Sequence, residues 1–91
     1  MESSEPRTIE PRQTPAEIAE ENRKIRRLQI MISMVMAAIC QDPNLTVEEA
    51  SELVAGAKRA AMAMFPDKEL AYDLIYKPRL QRLMKERFRL Q

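Results

Sequence analysis

Between Leu28 and Cys40 the chain reads LQIMISMVMAAIC, thirteen residues of which only Gln29 and Ser33 are polar. A helix that is apolar around nearly its whole circumference has to be enclosed by protein or lipid. Crossing a bilayer takes about 20 apolar residues, so this run is too short to span one. Its cover is therefore expected from the other helices of the chain and from a second copy. The rest of the chain is highly charged, with 32% Asp, Glu, Lys and Arg overall.

The flanking residues set the limits of this element. Thr14-Pro15-Ala16-Glu17 is a helix start: the threonine accepts from a free backbone N–H, proline needs no donor in the first turn, and Glu17 reaches back to complete a capping box. No Gly or Pro follows until Pro43, which with Asp42 and Asn44 marks the stop. Ile18, Ile25, Ile32 and Ile39 recur every seven residues with Leu28 and Val35 between them, a coiled-coil-like seam broken at Glu21. Ile30, Met31, Met34, Met36, Ala37 and Ala38 add apolar surface to the second half only. At about 1.5 Å per residue this helix is near 40 Å long, so its charged first half is expected to project beyond the bundle or lie along its edge.

A second capping box, Thr46-Val47-Glu48-Glu49, opens a second helix that closes at Phe65-Pro66. Val47, Ala50, Val54, Ala57, Ala61 and Met64 step by three and four, and the abundance of Ala permits close helix approach. Asp67 is the expected N-cap of a third segment, Lys68 to Tyr76, with Leu70, Ala71, Leu74 and Ile75 as its inward stripe. Pro78 disfavours a helical Lys77 and predicts a kink or a fresh start, followed by a last helix to about Phe88 with Leu80, Leu83, Met84 and Phe88 on one side. One glycine in 91 residues argues against hairpins and Gly-rich ligand loops. The expected fold is all-α: a small three-helix bundle over residues 14–91, with its last helix broken at Pro78, behind a disordered N-terminal tail over residues 1–13.

Chemistry is sparse. There is no histidine, and the single cysteine, Cys40, excludes a disulfide framework and a Cys-based zinc site. Cys40 is expected to be a small buried hydrophobe, with a reactive or intermolecularly bridged thiol as the alternative. Asp67, Glu69 and Asp73 lack the paired buried carboxylates of acid–base work, and no cofactor or metal site is expected. Tyr72 and Tyr76, one turn apart, are expected to be half-buried with their hydroxyls at the rim. The N-terminus has no apolar signal-peptide core, so a cytoplasmic protein is expected.

Charge is segregated. Residues 1–22 sum to −4, Arg23, Lys24, Arg26 and Arg27 to +4, residues 28–76 to −4, and residues 77–91 to +5, for a total of +1. Three interaction readings follow. Excess apolar surface on the first helix points to self-association, or to pairing with another helical protein, through Leu28, Met31, Ile32, Val35, Met36 and Ile39. Five of the seven methionines, Met31, Met34, Met36, Met62 and Met64, either fill an irregular core or form an adaptable groove. The basic surface of Lys77, Arg79, Arg82, Lys85 and Arg89 is a solvated face, drawn toward Glu48, Glu49 and Glu52 in an up-down-up bundle, or a contact for nucleic acid, or one for an acidic protein or anionic membrane. Against nucleic acid stand the near-neutral total and the lack of an aromatic stacking pattern. Membrane binding by Arg23 to Arg27 is disfavoured, since the run has no Trp and Glu17, Glu20 and Glu21 repel an anionic surface.

Overall fold

The computed structural model describes residues 13–89, which form four helices in the order α1 (Pro15–Gln41), α2 (Val47–Met64), α3 (Glu69–Ile75) and α4 (Lys77–Phe88). The tail expected over residues 1–13 lies outside the described residues except for Gln13, whose Nε2 donates to Glu21 Oε1 at 3.2 Å. Both capping boxes form. Thr14 Oγ1 accepts from Glu17 N at 3.1 Å while Thr14 N donates to Glu17 Oε1 at 2.8 Å. Thr46 and Glu49 repeat the exchange at 3.1 and 3.0 Å.

α1 packs against α2 and α4, and α3 packs against α2 and α4. The core joins Leu28, Ile32, Val35 and Ile39 of α1, Ala50, Ala57 and Ala61 of α2, Tyr72 of α3, and Leu80 and Met84 of α4. Ile39 and Leu80 are its largest fully enclosed side chains. The three alanines bring the α2 backbone close to its neighbours, so the bulk of the core comes from α1 and α4. Ile18 and Ile25 of the heptad seam are exposed, because α1 outruns the 18-residue α2 and has no cover along its first half.

The break before α4 falls at Tyr76, whose backbone is still right-handed helical (φ −98°, ψ −36°). Lys77 opens α4 in spite of the proline that follows it. Tyr76 N donates to Tyr72 O and Leu80 N donates to Tyr76 O, so the helical path resumes around the N–H that Pro78 lacks.

The face α3 turns inward is not the expected one. Leu70 and Leu74 are 72% and 69% exposed and Ile75 and Ala71 are exposed too, whereas Tyr72 is buried. Lys58 on α2 lies 2.9 Å from Glu69 Oε2 and 3.1 Å from Asp73 Oδ1, and those two carboxylates are one turn apart on α3. The face of α3 turned to its neighbours is thus the one that buries the Tyr72 ring and pairs both carboxylates with Lys58, which leaves Leu70 and Leu74 outside. Asp67 is not the cap either: Lys68 occupies the N-cap position with no side-chain hydrogen bond. Tyr72 and Tyr76 do share a face, ring centroids 5.6 Å apart, but the Tyr72 hydroxyl is buried without a partner and does not reach the rim.

Candidate functional site

Of the six α1 residues expected to mediate self-association, Leu28, Ile32, Val35 and Ile39 are buried inside the chain. They belong to the intramolecular core, although Leu28 and Val35 also line surface hollows. Met31 and Met36 are half-buried against that core. At 100° per residue, the positions opposite the core stripe are Ile30, Met34 and Ala37, with Arg23 two turns before Ile30 and Gln41 one turn after Ala37. Ile30 is 55% exposed and Met34 67% exposed. The run that was apolar on every side thus divides into an inner stripe that is consumed in folding and an outer one that no described residue covers.

The outer stripe stands as a ridge with a hollow on each side. One hollow, toward α2, is lined by Arg27, Met31, Val35, Ala38 and Leu53 beside the ridge residues. The other is lined by Arg26, Gln29, Ser33 and Ala37. Cys40 lies toward this exposed side and is exposed, not buried, because it follows Ile39 by 100° around the helix.

A second recess, of about 290 Å³, opens between the first half of α1 and α3, which make no direct approach to each other. Its walls include Ile25, Leu28, Ala71 and Ile75, its floor Ala61, Met62 and Phe65, and its rim carries Glu21 and Lys68.

Lys77, Arg79, Arg82, Lys85 and Arg89 are all exposed. Leu80 and Met84 point into the core from the other side of α4. Among the described residues no ion pair joins this surface to Glu48, Glu49 or Glu52. The α4 cation that does reach the α1–α2 corner, at the end of α1, is Arg87, which sequence reasoning counted only as charge. Its Nε donates to Ile39 O at 3.0 Å and its Nη2 to Asp42 O at 2.7 Å, with the guanidinium carbon 4.9 Å from the Phe88 ring centroid. The signal was present: the carbonyl of Ile39 would ordinarily be bonded by the N–H of residue 43, and residue 43 is proline.

Three shifted pKa values map the electrostatics. Burial pushes the Tyr72 hydroxyl above its usual range. Glu69, then Asp73, hold the Lys58 ammonium above its usual value. The hydrogen bond from Arg23 lowers Glu20. Each is accounted for by packing or pairing, and no group of three or more potential metal ligands occurs among the described residues. No helix of the described residues is long and apolar enough to cross a membrane. No family model matches the chain, and no curated protein or solved structure shows significant similarity to it.

Proposed function

We propose that this chain is a non-enzymatic helical protein–protein interaction module of the cytoplasm, which associates, in the first place with itself, through the outer face of α1. The observation that carries the reading is the exposure of Ile30 and Met34 on the side of α1 opposite a fully packed stripe. Folding alone does not require apolar residues there, and a solvated helix face costs nothing to make polar. Sedimentation of the intact chain across a micromolar concentration series tests it. The expected mass rises above the 10.6 kDa of one chain. Burying the exposed two-thirds of Met34 is worth about 1 to 2 kcal/mol per copy, so Met34→Asp should weaken a dimer roughly thirtyfold or more with the helix content intact. A constant monomer mass for the wild type at every concentration sinks the reading.

A second reading draws on the five exposed cations of α4, which have no acidic partner among the described residues. It makes α4 a contact for nucleic acid, with retention that falls as salt rises and is lost in Arg79→Glu/Arg82→Glu. No retention at low salt disposes of it.

A further inference from the structure

We propose that the occupant of the outer α1 face is a second copy of this chain lying antiparallel to the first, with a two-fold axis passing close to residue 32. This rests on the reading of that face as an association surface and adds its partner's orientation and register.

The first argument is relief. An isologous contact uses the same patch on both copies, so the patch must carry both a projection and a place to receive it. The Ile30–Met34 ridge and the adjoining hollow floored by Met31, Val35 and Leu53 meet that requirement within one surface. A two-fold axis seats each ridge in the other copy's hollow.

The second argument is charge, and it decides the direction. The N-terminal half of the face carries Arg26 and Arg27, both exposed, and Arg23, which Glu20 of the same helix already pairs. The C-terminal half has no basic residue in its last turn and ends at Asp42. Beside it on α2, Glu49 lies one turn before Leu53 on the same helix face. Arg87 serves the inward side of this corner, through the carbonyls of Ile39 and Asp42. The Asp42 carboxylate accepts from Asn44 N at 3.0 Å, and the residue is exposed. Antiparallel pairing lays the arginines of each copy toward the other copy's Asp42 corner, twice, whereas parallel pairing stacks arginine on arginine. With Ile30 against the partner's Met34, Ala37 meets the partner's Arg27 and Gln41 meets the partner's Arg23, which comes within reach of this copy's own Asp42 corner.

Cys40 makes the orientation measurable, being the single cysteine of the chain and exposed. It lies eight positions from the axis, so an antiparallel pair separates the two Cys40 Cα atoms by about 24 Å along the helices and about 26 Å in all with axes about 9 Å apart. A parallel pair brings them to roughly 10 to 15 Å. The experiment is a spin-label distance measurement at Cys40 on the full chain, beside sedimentation at low and high salt. A dimer with label separation in the longer range, weakened roughly tenfold or more by salt, is the expected result. A dimer with the short separation overturns the antiparallel arrangement while leaving the α1 association in place. A chain that stays monomeric, or a dimer unaffected by Met34→Asp, overturns both.

Discussion

Replacing Arg87 by Met keeps a long unbranched stem and deletes only the guanidinium, so it isolates the link from α4 to the α1–α2 corner. Two hydrogen bonds are lost. The one to Ile39 O is part-buried and charge-assisted, beside a side chain with no exposure, and is worth about 1.5 to 3 kcal/mol because the carbonyl has no other donor once residue 43 is proline. The one to Asp42 O is exposed, and that oxygen also accepts from Leu45 N at 3.3 Å, so it adds about 0.5 kcal/mol. A total near 2 to 3 kcal/mol is a large share of the stability of a domain this small, and corresponds to a fall of roughly 10 to 20 °C in midpoint. Urea titration followed by circular dichroism at 222 nm measures it. Arg87→Lys keeps the charge but has no rigid fork to serve two carbonyls at once, and should recover about half of the loss. A stability for Arg87→Met within about 0.5 kcal/mol of wild type, or a lysine variant that equals arginine, would refute the account of this corner.

Two further substitutions probe α3 and α2. Tyr72→Phe removes a buried hydroxyl that has no partner, so it should be neutral to stabilising by about 1 kcal/mol, and a loss above that would show that the hydroxyl is bonded. It should also flatten the alkaline limb of stability. Tyr72, raised by burial, and Lys58, raised by Glu69 and Asp73, both hold their protons longer in the native state than in the unfolded one. Their contributions are therefore complete below about pH 10 and lost as pH climbs through the native values, and the variant keeps only the lysine part of that loss. Gly56→Ala should stabilise by about 0.5 to 1 kcal/mol in the same urea assay, since the added Cβ lies an ordinary 3.7 Å from Arg59 Nη2 in mid-helix; destabilisation would mean a clash there.

Much of the architecture was legible because local chemistry specifies it. Thr14 with Glu17 and Thr46 with Glu49 mark helix starts through bonds that span three residues. Pro43, Pro66 and Pro78 mark stops and breaks through a missing N–H. Periodicity likewise placed Leu28, Ile32, Val35, Ile39, Leu80 and Met84 in one core. These determinants lie within a turn or two of each other along the chain, so their geometry needs no knowledge of the fold.

What only the tertiary structure decided is how each helix is rotated and which of two apolar faces is consumed. The α1 run is apolar on opposite sides, so periodicity cannot rank Ile32 above Ile30; burial in the core shared with α2 and α4 does. On α3 the leucines make the stronger apolar stripe, yet the face that packs is the one that buries the Tyr72 ring and carries the carboxylates paired with Lys58 of α2. Arg87 and the carbonyl of Ile39 stand 48 residues apart and meet only because α4 returns to the α1–α2 corner. In each case the deciding energy comes from a neighbour distant in sequence.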